Sequence, residues 1–166
     1  ERDILFGASV TVTRENMDRV LDGDFLDDLR QRGCGVVIYV EYVPAEAGTE
    51  HLALDAAGLD ALNRRSLALK ARHSDMVVLS FPGDEAAMGG CLASGRGFFH
   101  INPQGGAEPC PFSPYAKYNL RDTPMRDVLQ ARYFQDLREI AAEAGPHTGG
   151  CVLFQRKAQV QALLAR

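Results

Sequence analysis

The chain contains no tryptophan and only four cysteines in 166 residues. That cysteine density is far below the density of a disulfide-stapled domain, so we expect reduced thiols that are available to a metal, and a cytoplasmic location. No apolar run approaches the ~20 residues that cross a bilayer. The net charge of −4 provides no basic field. The lack of a membrane-length apolar run argues against a membrane partner, and the lack of a basic field argues against a nucleic-acid partner.

The first half of the chain alternates strand-like and helix-like segments. Residues 3–13, 35–43 and 76–81 are apolar and rich in β-branched side chains, which is typical of buried strands. Residues 16–32 and 55–72 carry apolar side chains at helical spacing, and Gly23–Asp24 is expected to divide the first helix, with Asp24 as N-cap. Strand, helix and strand in this order predict a right-handed βαβ unit with a parallel sheet.

The amino-acid composition changes after Pro82 and the regular alternation of segments ends. We therefore place a boundary there between domains 1–85 and 86–166. The turn-rich segment NPQGG separates residues 95–101 from 107–110, which predicts a β-hairpin. A helix over 124–144 with Thr123 as N-cap, a short strand CVLF at 151–154 and a last helix are expected to follow. The second domain is thus predicted to be a small α+β unit.

Three cysteines stand near this hairpin or after the long helix: Cys91, Cys110 and Cys151. Counting back from the turn places Cys110 roughly opposite Phe98, and the small residues after Cys91 allow it to curl back. Three thiolates would then converge, and zinc and iron–sulfur centres both accept thiolate. The plainer alternative is three unrelated buried thiols, which need no metal. Cys34, between a helix and a strand, is interpreted as a packing residue, and His51 and His73 as surface residues.

The spacing Cys91, thirteen residues, Gly105, four residues, Cys110 fits the pattern C-x(9–15)-G-x4-C. This segment resembles the start of the auxiliary-cluster domain of radical S-adenosylmethionine (radical SAM) enzymes, called SPASM in its full form and twitch in its shortened form. The later cysteine run of the full form is absent, so the likeness is to the shortened form. The resemblance implies one 4Fe–4S cluster held by Cys91, Cys110 and Cys151. His147 is a possible fourth ligand, although a solvated loop histidine is the simpler interpretation.

The first half also resembles that family, more weakly. ASVTVTRE lies on the fifth-strand pattern GxIxGxxE, with Val10 in the Ile place and Glu15 in the Glu place. The fold class implied is α/β: strands five and six, with helices, of a partial (β/α)6 barrel that binds S-adenosyl-L-methionine, followed by a twitch-like α+β domain. Ser9, Val10 and Thr11 would then meet the cofactor. Glu41 would meet cofactor or substrate, or form a buried salt bridge.

The family's C-x3-C-x2-C motif for the catalytic cluster is not in this sequence, nor is its glycine-glycine-glutamate motif. We therefore predict the C-terminal portion of a radical SAM oxidoreductase, inactive alone, whose partner is the missing N-terminal half of the barrel. Its auxiliary cluster would bind substrate, a peptide or small molecule, or relay an electron. The alternative is a non-enzymatic module with structural zinc. The open strand edge of a half barrel also predicts self-association.

Overall fold

A three-stranded parallel sheet organises the first half of the chain. The computed structural model describes residues 4–143 and 151–165, except the side chain of residue 86, and the chain divides into two compact units, Glu1–Asp84 and Glu85–Arg166. In the first unit the strands β1 (Phe6–Val12), β2 (Cys34–Glu41) and β3 (Val77–Phe81) lie in the order β1-β2-β3. Both pairings are parallel, so the α/β class predicted from the sequence is confirmed.

The helices of this unit are α1 (Met17–Val20), α2 (Gly23–Gln31) and α3 (Ala56–Arg72), with a 3-10 turn at Glu50–Leu52. Side chains of the helices and of alternate strand positions form one apolar core, and its buried members include Leu26, Val37, Tyr39, Leu62 and Val78. Because strand side chains alternate between faces, the neighbouring positions point away from this core. Val77 and Leu79 of β3 are accordingly exposed.

In its described residues the second unit contains a small antiparallel sheet and four α-helices. The strands are β4 (His100–Ile101), β5 (Gly106–Glu108) and β6 (Tyr118–Asn119), in the order β4-β5-β6. A 3-10 helix at Gly83–Met88 precedes them in the chain, and α4 (Met125–Gln130), α5 (Arg132–Ala142), α6 (Val152–Gln155) and α7 (Lys157–Leu164) follow. The described strands form two open sheets and close no barrel. No helix in the described ranges has the length and apolarity to cross a membrane.

Two helix starts differ from the prediction. The N-cap of α2 is Asp22 rather than Asp24, because the Asp22 carboxylate accepts a hydrogen bond from the backbone N–H of Asp24 at 3.2 Å. The N-cap of α4 is Pro124 rather than Thr123, and no side chain caps that helix. A capping side chain must reach the first free N–H groups, which a residue-type pattern alone does not locate.

Three further predictions were wrong. The helix expected over 124–144 is two helices, because Ala131 is extended, with φ −62° and ψ 148°. The segment CVLF is helical in α6 rather than a strand. A run of four apolar residues fits a buried helix as well as a strand. His73, expected at the surface, is buried, with Nδ1 3.6 Å from Oδ1 of Asp27.

Candidate metal centre

The three cysteines predicted as ligands all belong to the second unit, and each comes from a different segment. Cys91 lies in the loop before the hairpin, Cys110 follows β5, and Cys151 directly precedes α6. Their exposed fractions are 9%, 2% and 8%, and all three are reduced. Burial removes water from the thiols, so each must satisfy its polarity within the protein.

The three thiols interact with one another. Burial raises the pKa of Cys91 to about 11, and the charges of Glu85 and Cys151 also raise it. The pKa of Cys110 is strongly raised by a hydrogen bond with the Cys151 side chain, by burial, and by the charges of Cys151 and Cys91. The fold therefore brings Cys91, Cys110 and Cys151 within electrostatic reach of one another.

Cys151 is the thiol that ionises first in this group. The hydrogen bond from Cys110 lowers the pKa of Cys151 to about 7, against the raising effects of burial and of Glu85. The backbone N–H groups of Phe154 and Leu153 lower the pKa of Cys151 further. Cys151 is the N-cap residue of α6, but its side chain makes no capping hydrogen bond. Cys110 and Cys151 therefore titrate as an interacting pair, in which Cys151 loses its proton more readily than Cys110.

A common local feature surrounds the three sulfurs. The pKa of Cys91 is lowered by the N–H of Ala93, that of Cys110 by the N–H of Phe112, and that of Cys151 by the N–H of Leu153. Each donor stands two residues after its cysteine. Backbone N–H groups aimed at sulfur stabilise thiolate, and around a metal centre such outer contacts tune its potential.

The loop that carries Cys91 is held by a single arginine. Arg96 Nη1 donates to the carbonyls of Gly89, Gly90 and Cys91 at 3.0, 2.9 and 3.0 Å, and its Nη2 donates to the carbonyl of Met88. Gly89 and Gly90 have φ of 79° and 101°, a region that glycine enters without strain. In this backbone four consecutive carbonyls, those of residues 88–91, turn toward one guanidinium.

Glu85 anchors the same loop from the other side. Its Oε1 accepts the N–H of Leu92 at 2.9 Å, and its backbone carbonyl accepts the N–H of Gly90 at 2.8 Å. Sequence reasoning singled out neither Glu85 nor Arg96. An arginine between two glycines, in GRG, was the available signal, but its carbonyl partners depend on the loop conformation.

Gly105 stands where the hairpin turns, with φ 88°. A Cβ at this position would lie 2.7 Å from Oδ1 of Asn119, so a side chain would be both strained and crowded. The register pairs His100 with Glu108 and Ile101 with Ala107. Continued by two residues, that register would put Phe98 opposite Cys110, whereas Cys110 itself bridges to Ser113. The positive φ of Gly105 and the close approach of Asn119 explain why a glycine stands at this position of the cysteine pattern.

A metal centre requires several donor side chains that converge on one point. Within 4–143 and 151–165, no group of three or more His, Cys, Asp or Glu side chains is arranged to hold a single metal ion. By residue type the three cysteines match the thiolate ligands that iron–sulfur clusters use. The candidate fourth ligand, His147, lies outside the described residues.

The predicted cofactor-binding residues lie in the first unit. Ser9 and Thr11 are exposed on the face of β1 that points away from the helices, and Val10 packs against the core. Glu41, at the end of β2, is buried and pairs in register with Val12. Ser9 and Thr11 are therefore accessible to a ligand, and Glu41 is a buried carboxylate at the carboxyl end of a parallel strand.

Comparisons of the chain with protein-family models, with curated proteins and with solved structures found no match.

Proposed function

We propose that the second unit binds an auxiliary 4Fe–4S cluster through Cys91, Cys110 and Cys151. One observation carries the proposal: three buried thiols from three separate segments interact electrostatically, and two of them share a hydrogen bond. The convergence of thiols from three separate segments favours a common ligand over three separate packing roles. Thiolates are the usual protein ligands of iron–sulfur clusters.

The surroundings of the thiols support a metal centre over plain packing. A thiol must lose its proton to become a ligand. Cys151 is already close to that state at neutral pH, and each sulfur receives a backbone N–H that favours the thiolate. The role of this chain's residues is therefore to present three thiolates, exclude water from them and set their hydrogen bonding.

The whole chain, in this proposal, is the C-terminal portion of a radical SAM oxidoreductase. β1 and β2 would be strands five and six of its partial barrel, and Ser9, Val10, Thr11 and Glu41 would line the S-adenosyl-L-methionine site of the complete enzyme. The cysteine spacing around Gly105 supports this assignment. With three protein ligands, the auxiliary cluster would supply an open coordination position for substrate or a path for an electron.

The test is anaerobic reconstitution with iron and sulfide, followed by metal analysis and a visible spectrum. We expect a brown protein with about four irons per chain, as the cluster type requires. Cys91→Ala should lose the colour, while Cys34→Ala, which removes a buried thiol of the first unit, should keep it. A wild-type protein that takes up no iron, or a Cys91→Ala protein that retains it, would refute the cluster.

A structural zinc site is the second candidate by donor type alone, because thiolate also binds zinc, while no three donors of the described residues are arranged around a single ion. Structural zinc is held by four ligands, so His147 or another group would have to complete the site. A colourless chain that retains one zinc, and unfolds when a chelator removes it, would establish this alternative. The metal analysis of the reconstitution experiment separates the two candidates directly.

A further inference from the structure

A carboxylate–histidine pair stands on the hairpin, at residues to which the proposed metal centre assigns no role. His100 of β4 and Glu108 of β5 are directly paired in register, and His100 Nδ1 lies 2.8 Å from Glu108 Oε2. The Glu108 side chain is only 7% exposed, whereas the His100 ring is 41% exposed. A buried acid thus contacts one nitrogen of a ring that is open to solvent.

The tautomer of His100 follows from this contact. An ionised carboxylate can only accept hydrogen bonds, so Nδ1 must carry the proton and donate it to Glu108. The other nitrogen, Nε2, is then the basic one in the neutral ring. No hydrogen bond joins Nε2 to another side chain or carbonyl in the described parts of the chain.

A second contact fixes the carboxylate itself. Asn102 Nδ2 donates to Glu108 Oε1 at 2.7 Å, so both carboxylate oxygens are engaged. Asn102 is held in turn, because its Oδ1 accepts the N–H groups of Gln104 and Gly106 at 3.1 and 2.8 Å. The chain of contacts runs from the turn backbone through Asn102 and Glu108 to the imidazole, which leaves the ring little freedom.

We propose that His100, oriented by Glu108 and Asn102, is an acid–base residue of the second unit. Its Nε2 would take the proton from an O–H or N–H group of a bound small molecule or peptide and return it later, with no change of electron count. The carboxylate holds the ring in the reactive tautomer and stabilises the imidazolium that forms. This proposal does not depend on the metal centre.

The chain provides internal controls for a chemical test. His51 is exposed and its Nδ1 lies 3.1 Å from the carbonyl oxygen of Gly48, so it is the comparison histidine whose partner is a neutral carbonyl rather than a carboxylate. His73 is buried and gives the rate of a shielded ring. Diethyl pyrocarbonate acylates an unprotonated imidazole nitrogen, forming an N–C bond with release of ethanol and carbon dioxide. Peptide mapping after brief treatment gives a rate for each histidine separately. We expect His100 to react faster than the more freely exposed His51.

Glu108→Gln tests the orienting role. Measured at alkaline pH, where the imidazole is neutral with or without its partner, removing the carboxylate should slow acylation of His100 several-fold, because Nε2 loses the basicity that the hydrogen-bonded anion gives to the ring. Glu139→Gln, the same change at an exposed residue of α5, should leave the rate unchanged. An unchanged His100 rate in folded Glu108→Gln, or a His100 that reacts more slowly than His51 in the wild type, would overturn the proposal.

One measurement needs no variant, and it applies even if Glu108→Gln fails to fold. Nitrogen NMR of the ring in the wild-type chain should show the neutral His100 protonated at Nδ1. A ring protonated at Nε2 would refute the assignment, because the basic nitrogen would then face the carboxylate. The metal-binding experiment has a separate readout, so either proposal can fail without the other.

Discussion

Cys110 and Cys151 share a hydrogen bond between their thiols, although one follows a strand of the hairpin and the other precedes a C-terminal helix. The contact divides the pair into a proton donor, Cys110, and an acceptor whose pKa is lowered to about 7. One thiolate is therefore nearly formed at neutral pH. A metal that binds the pair has only the remaining proton to displace.

The first prediction concerns the pH dependence of stability in the metal-free chain. Cys151 is ionised more readily in the folded state than an ordinary thiol of pKa 9.0, so its stabilisation is present above pH 9 and is lost as the pH falls toward 7. Cys91, with a pKa raised to about 11, acts in the opposite direction, because the folded state keeps a proton that the unfolded chain releases. The free energy of unfolding should therefore be highest near pH 9.

Urea unfolding at pH 7, 9 and 11 measures this profile. Between pH 9 and 11 the Cys91 contribution alone should cost about 2 kcal/mol, since two pKa units separate the folded and ordinary values and the thiol is only half ionised in the folded chain at pH 11. Cys110, whose pKa the Cys151 contact and burial raise, acts in the same direction, as do Tyr39 and Tyr133, whose pKa values burial raises above 10.0. Cys91→Ala should reduce the loss without abolishing it. A flat profile from pH 9 to 11 would contradict the burial of these groups.

The second prediction concerns Arg96, which holds the carbonyls of the loop before Cys91. Arg96→Ala should weaken metal retention by about tenfold, the usual lower bound for losing an outer contact of a metal ligand. Arg96→Lys should be intermediate, because an ammonium group lacks the planar fork that reaches several acceptors. Competition with a chelator measures the retention.

The control for this experiment is Arg126→Ala, which removes an exposed arginine of α4. Its metal retention should equal that of the wild type. If Arg96→Ala also retains metal normally while remaining folded, the loop is positioned by Glu85 and the glycines alone, and the role assigned to Arg96 is wrong.

Much of the first unit could be predicted from the sequence, because each strand there is an apolar run and each helix repeats at helical spacing. Val37 and Tyr39 point to the helices, as alternation along a strand requires. The burial of His73 could not be predicted, since it depends on where the end of α3 meets Asp27 of another helix. The hydrophobic periodicity of one helix does not show which residue of another helix it will contact.

The cysteines of the candidate site could be identified from the sequence, but the residues that hold their loops in place could not. The cysteine spacing and Gly105 are visible in the sequence, and the left-handed φ of Gly105 gives that glycine a structural reason. The hydrogen bonds from Arg96 to four backbone carbonyls depend on a loop conformation that the residue types do not specify. The short run at Cys151 was assigned to a strand because four apolar residues are too few to show a period.

The third prediction concerns the aromatic core of the second unit. Phe134 is fully buried and makes edge-to-face contacts with Phe99 and Tyr133, at ring-centroid distances of 6.1 and 5.8 Å. Phe134→Ala should lower the free energy of unfolding by about 3–5 kcal/mol, because it leaves a cavity as well as losing apolar contact. Met125→Ala, at an exposed position, should change it by no more than about 0.5 kcal/mol. Denaturant titration measures both, and a loss below about 1 kcal/mol for Phe134→Ala would contradict this core.

The last prediction concerns the free edge of the parallel sheet. Among the described strands β1 pairs only with β2, so its other edge presents backbone N–H and C=O groups without a strand partner. Ile4 and Leu5, just before this strand, are 68% and 78% exposed. An open edge beside exposed apolar side chains favours pairing with another strand. We therefore expect the chain to self-associate as its concentration rises.

Sedimentation velocity over a concentration series tests this expectation. Leu5→Lys should shift the chain toward monomer, because a charge beside the edge opposes strand addition. The matched control is Leu67→Lys, which places the same charge at a leucine of α3 that is 62% exposed. If both variants dissociate the assembly equally, the association is a general apolar effect rather than strand pairing. A wild-type chain that stays monomeric at the highest concentration would mean that the edge is protected despite its exposure.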